Sequence, residues 1–122
     1  MTDQRDLNIR QGATWPGLAW PIFAPADGVT PLDLAGWTAR AQVRPDAPSA
    51  TLYWTWSTAP DAGEGTAEII GHEVGIALTA AESAQFSWGG PAGYDVKLTS
   101  PDGRVLVIPG GAVLITRTYT RE

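Results

Sequence analysis

His72 stands directly before Glu73, an imidazole beside a carboxylate, the opening of a zinc-hydrolase motif. The motif needs a second imidazole one helical turn further on, and His72 is the only histidine in the chain. His72 follows Gly71 between two alternating runs, so it reads as a solvated residue at a hairpin tip. A Ser–His–acid triad needs only one histidine, but no Gly-x-Ser-x-Gly elbow presents a serine for it. Thirteen Asp and Glu residues supply carboxylates, yet no spacing marks two of them as an acid and base pair for sugar hydrolysis. Asp61-Ala-Gly-Glu64 has too few oxygen donors at alternating positions for a calcium loop and reads as a flexible acidic loop. Gly89-Gly90 and Gly110-Gly111 lack the Lys-Ser/Thr and the following helix of a phosphate cradle, so they read as hinges between strands. The chain is therefore expected to be no enzyme, with no cofactor and no metal.

The six tryptophans are the remaining residues of chemical interest. Trp37, Trp54 and Trp56 sit in or beside alternating segments and are expected in the core, where an indole buries a large apolar area. Trp15, Trp20 and Trp88 lie beside Pro or Gly, where exposure is expected. Exposed indoles serve either a protein interface or a stacking platform for sugar rings. Trp15, Trp20 and Trp88 are thus the candidate interface residues.

The elements that would position them are short strands. Gly and Pro number 14 and 10, about a fifth of the 122 residues against roughly an eighth on average. They fall between apolar runs, as turns between strands do. Thr38–Arg44 alternates, with Ala39, Ala41 and Val43 on one face and Thr38, Arg40, Gln42 and Arg44 on the other. Thr51–Ser57 alternates again, Leu52, Trp54 and Trp56 sharing a face. Thr66–Ile70 and Glu73–Leu78 form a hairpin with Val74, Ile76 and Leu78 inward. Leu7–Arg10 is a short first strand broken by Gln11-Gly12. Thr14–Phe23 carries Pro16 and Pro21, which cannot donate to a ladder, so it belongs at an edge or splits in two. Leu32 to Gly36 is a tight loop with inward leucines.

Near the end, Tyr94–Thr99, the turn Ser100-Pro-Asp-Gly103, Arg104–Ile108 and Ala112–Tyr119 read as strand, turn, strand and strand. One helix interrupts them. Thr79 precedes Glu82 by three residues, the spacing of a capping box, and the alanines after it favour a helix over residues 80–86. These signals specify a single all-β domain over residues 1–122, an antiparallel β-sandwich of Ig-like or jelly-roll-like form. It has eight or nine strands and one short helix, with residues 1–5 as a flexible arm.

Charge narrows the partners. The formal net charge is −5 and the pI is about 4.7, which repels phosphate backbones, so nucleic acid is not an expected partner. No apolar run approaches the roughly 20 residues of a membrane span. The polar start, Met1-Thr-Asp-Gln-Arg-Asp6, has no signal-peptide core, so synthesis in a cytoplasm is expected.

Five segments, taken in order, carry a family resemblance. They are Asp6-Leu-Asn-Ile-Arg-Gln-Gly-Ala-Thr-Trp15; Pro31-Leu-Asp-Leu-Ala-Gly-Trp-Thr-Ala-Arg-Ala-Gln-Val-Arg44; Leu78-Thr-Ala-Ala-Glu82; Tyr94-Asp-Val-Lys-Leu98 with Pro101-Asp-Gly103; and Gly110-Gly-Ala-Val-Leu-Ile-Thr-Arg117. Their order and spacing over residues 6–119 resemble small virion proteins of tailed bacteriophages. The match is to the β-sandwich domain of tail-fibre collar and minor tail proteins, and the layout is similar to the N-terminal domain of baseplate upper proteins. The resemblance implies a structural protein of the virion, made in the bacterial host, that contacts other virion proteins in several copies per particle. It brings no catalytic residue with it. The alternative is a carbohydrate-binding module whose exposed tryptophans stack on a glycan.

Overall fold

A computed structural model describes residues 6–24, 26–46, 48–86, 88 and 91–116. Eight strands and one helix follow in order: β1 Leu7–Arg10, β2 Trp15–Pro21, β3 Thr38–Arg44, β4 Trp54–Ser57, β5 Gly65–Ile70, β6 Glu73–Leu78, α1 Ala80–Ser83, β7 Gly93–Thr99 and β8 Val105–Thr116. The all-β expectation holds. The strands form one mixed sheet in the order β1-β8-β7-β3-β4-β5-β6-β2, which curls nearly to a barrel.

Two pairings depart from the antiparallel expectation. β1 runs parallel to β8, with Leu7 opposite Val113, and β4 runs parallel to β5. Alternation records which face of a strand is buried, not the direction of its neighbour, so it carries no sign of either pairing. The β4–β5 contact involves only Trp56–Gly65 and Ser57–Thr66. It is the corner where the chain passes from a five-stranded half (β1, β8, β7, β3, β4) to a three-stranded half (β5, β6, β2). The halves face each other across the core: Trp20 of β2 meets Tyr94 of β7 with ring centroids 6.1 Å apart.

The core follows the sequence pattern. Ala39, Ala41 and Val43 on β3, Val74, Ile76 and Leu78 on β6, and Tyr94, Val96 and Leu98 on β7 are all buried. Trp56 is fully buried and donates its Nε1–H to the Ala77 carbonyl oxygen at 2.9 Å. β4 is buried on both faces, so Thr55 and Ser57 are enclosed as well. Leu52 lies before β4 and is 44% exposed, which removes it from the inward set.

β2 is an edge strand, as its prolines require, paired only to β6 and with a register shift between Trp15 and Leu18. At that shift Gly17 has φ +99°, and its Cα approaches β6 so closely that a Cβ would lie 2.1 Å from the Ile76 carbonyl oxygen. Only glycine fits there.

α1 begins with the expected capping box. Thr79 Oγ1 accepts from the Glu82 N–H at 3.1 Å, and Glu82 Oε1 accepts from the Thr79 N–H at 2.9 Å. The helix is shorter than the 80–86 expected. It ends at Ser83, and the chain continues in tighter turns, Gln85 N–H to the Glu82 carbonyl and Phe86 N–H to the Ser83 carbonyl. Phe86 is held in place by its own burial rather than by the helix. Bonds tie this region to the β1–β2 link: Ser83 Oγ donates to the Ala13 carbonyl at 2.7 Å, and Gln11 Nε2 donates to the Phe86 carbonyl at 2.9 Å.

The Gly110-Gly111 hinge is not present as a break. β8 is one strand of twelve residues, and the glycines form a bulge in it: Tyr94 pairs with Gly111 and Asp95 with Pro109. A Cβ on Gly110 would sit 2.2 Å from the Tyr94 carbonyl oxygen, so the bulge depends on a bare Cα. Among the described residues the strand count is therefore eight. The Gly89-Gly90 hinge, the Tyr119 end of the last strand and the arm at residues 1–5 lie outside the described residues.

Candidate interaction surface

The three candidate tryptophans do not come together. Trp20 is 2% exposed and belongs to the core, which corrects the expectation of exposure. The neighbouring Pro21 ends β2, but the alternation of the strand points Trp20 inward opposite Val74. Trp15 is half-buried and packs on Trp56, with centroids 6.2 Å apart. Trp88 is half-buried, stacked on Tyr53 at 4.6 Å with planes 7° apart, and tilted against Phe86 at 4.7 Å. Contacts of Trp54 with Trp56 and with Phe86 join these into one aromatic run from Trp15 to Tyr53. The indoles thus fill space in a core built otherwise from Ala, Val and Leu. A sugar platform needs a row of open ring faces, and Trp15, Trp20 and Trp88 do not form one.

The polar residues weighed as chemistry are occupied in turns. His72 sits with Gly71 at the β5–β6 hairpin tip, its ring 6.0 Å from Phe23. Glu64 bonds back to the Asp61 N–H at 3.0 Å and pairs with Arg40 at 3.3 Å, so it closes the acidic loop. Among the described residues no group of three His, Cys, Asp or Glu side chains is placed to hold a metal ion.

Among the described residues two carboxylates are shifted, both in exposed turns and both downward. Asp27 is lowered to about 2, chiefly because its side chain accepts from the Thr30 hydroxyl and then from the Thr30 and Val29 N–H groups. Asp102 is lowered by the Ser100 hydroxyl first and by the charge of Arg104 next. Both shifts hold the carboxylate ionised. They build turns and are the reverse of what a general acid needs.

What the surface does offer is two broad strand faces. On the five-stranded half, the outward residues of β3, β7 and β8 include Arg40, Gln42 and Arg44, then Asp95 and Lys97, then Val105, Val107 and Pro109. Val105 and Val107 are 52% and 55% exposed. A recess of about 770 Å³ opens on the same half next to Pro109, its wall carrying Arg40, Arg44 and Lys97 together with Asp6, Asp46 and Asp95. On the three-stranded half, the outward residues are Thr66, Glu68 and Ile70 of β5, Glu73, Gly75 and Ala77 of β6, and Ala19 of β2. The small residues leave a groove of about 360 Å³, and Ile70 stands 71% exposed at its side.

These faces were not among the expected site residues. A sequence signal for them exists in the placement of charge. None of the eight Lys and Arg residues lies between positions 45 and 96, a stretch that holds Glu64, Glu68, Glu73 and Glu82. The net charge alone conceals this division.

No protein-family model matches the chain, and no curated protein matches it.

Proposed function

We propose that this chain is a structural protein of a tailed-bacteriophage virion, located in the tail, the collar or connector, or the baseplate. It acts through protein–protein contacts as one of several copies in a particle. The observation that carries this reading is the ordered run of five segments over residues 6–119, whose order and spacing resemble tail-fibre collar and minor tail proteins. In this reading the five-stranded and three-stranded halves correspond to the two layers of that family's sandwich.

The surface supports the same conclusion. Apolar side chains stand on outward strand faces at Val105, Val107 and Ile70, where a protein partner can cover them. β1 and β2 are the two edges of the sheet, and an unpaired edge is a place for a neighbouring chain to add. β2 is blunted by Pro16 and Pro21, which leaves the β1 edge as the better acceptor. The test is immunogold electron microscopy on purified particles of the phage that encodes the chain. Labelling at one fixed position supports the proposal. Particles that bind no antibody, together with the chain recovered only from the soluble lysate, refute it.

A further inference from the structure

The positive charge of the strands is confined to one half of the sheet. β2, β5 and β6 contain no Lys or Arg, while β1, β3 and β7 carry Arg10, Arg40, Arg44 and Lys97. On the five-stranded half, Arg40 lies directly opposite Lys97 across the β3–β7 ladder. Like charges opposed in this way repel. Arg40 turns to Glu64, whereas Lys97 has no ion-pair partner among the described residues. Asp95, two positions along β7, is the one carboxylate of β3, β7 and β8. On the three-stranded half, Glu68 and Glu73 face outward, also without ion-pair partners among the described residues. Beside exposed apolar side chains each face therefore carries charge with no ion-pair partner among the described residues: Lys97 with Val105 and Val107 on a face that also holds Arg40, Arg44 and Asp95, and Glu68 and Glu73 with Ile70 on a face that holds no cation.

We propose that the occupant of each face is a second copy of this chain, docked head to tail. The β3–β7–β8 face of one copy covers the β5–β6–β2 face of the next. Lys97 meets Glu68 and Glu73, and the valines of β8 meet Ile70 and the small-residue groove beside it. Apolar contact supplies the adhesion, and opposite charge sets orientation and rejects like-on-like pairing. The halves pack inner face to inner face, as the Trp20–Tyr94 contact requires, so the outer faces point away from each other. Two copies cannot satisfy both faces at once. A contact of this kind propagates into a ring or a filament instead of closing at a dimer. The inference deepens the assembly reading by naming the partner. It depends on that reading for its place in a particle, not for the contact itself.

The test is sedimentation velocity on the purified full chain, at low and high ionic strength. The wild type is expected to form species larger than a dimer at low salt and to dissociate as salt screens the charges. Lys97→Glu should weaken self-association about tenfold at low salt, and the double variant Glu68→Lys/Glu73→Lys should do the same. An equimolar mixture of the two should recover association, because each altered face then meets its complement. All three side chains are exposed strand residues, and a melting curve for each variant establishes that it is folded. A wild type that stays monomeric at low salt, an assembly that stops at the dimer, or a mixture that fails to recover association overturns the proposal. A chain that is monomeric in solution yet present in virions sinks the self-docking and leaves the virion reading intact. Salt-sensitive association by a chain absent from virions does the opposite.

Discussion

Replacing Gly17 by alanine tests the placement of β2 on β6, and Gly12→Ala supplies the reference. Both residues have positive φ, +81° at Gly12 and +99° at Gly17. An L-residue in that region costs about 1–2 kcal/mol. A Cβ at Gly12 meets nothing within 4 Å, so Gly12→Ala should lose about that much and no more. At Gly17 the same Cβ falls 2.1 Å from the Ile76 carbonyl oxygen and 3.0 Å from the Ala77 Cβ. The obstacle is backbone, which no rotamer change can move. Overpacking of a closed site adds about 1–3 kcal/mol, so Gly17→Ala should lose roughly 2–5 kcal/mol in all. Urea denaturation of the three proteins, fitted with a common m-value, gives the difference directly. Equal losses at the two positions would refute the close approach of β2 to β6. So would a Gly17→Ala protein as stable as the wild type.

Thr79→Ala should cost about 1 kcal/mol through loss of the cap on the Glu82 N–H, read as a shifted denaturation midpoint; an unchanged midpoint would mean that the hydroxyl does not cap α1. Ser83→Ala should cost about 1–3 kcal/mol, because it strands the Ala13 carbonyl that the buried hydroxyl serves, and an unaltered melt would count against that bond. The Asp27 carboxyl should titrate near 2 by carbon-detected NMR, against an ordinary 3.8. Its folded value is depressed, so its contribution to stability is present above the ordinary value and is lost as pH falls through about 2. Thr30→Val should return the midpoint toward 3.8, and a midpoint already there in the wild type would contradict the turn.

Strand positions were legible because alternation is a local property. Thr38–Arg44 and Glu73–Leu78 stand where their period of two puts them, and the Thr79–Glu82 box starts the helix. Strand direction was not legible. The parallel pairs β1–β8 and β4–β5 join segments whose own sequences say nothing of the neighbour. The pair Gly110-Gly111 has the composition of a break, but it became a bulge because Tyr94 of β7 presses against the bare Cα from across the ladder. Trp20 was misjudged for a related reason. Its neighbour Pro21 suggests a surface position, whereas the side-chain direction is set by the ladder to Val74. The charged faces were readable in part, since the absence of Lys and Arg from positions 45–96 is a property of the sequence. That Lys97 and the Glu68–Glu73 pair lie on opposite sides of one core depends on the topology.

The central claim is that the chain is a stoichiometric part of a phage particle. Quantitative mass spectrometry on gradient-purified virions, with labelled peptides of this chain and of the major capsid protein as standards, measures it most directly. The account predicts several copies per particle, the same number in independent preparations and after a high-salt wash. Less than one copy per particle, or a number that falls to nothing on washing, would contradict it.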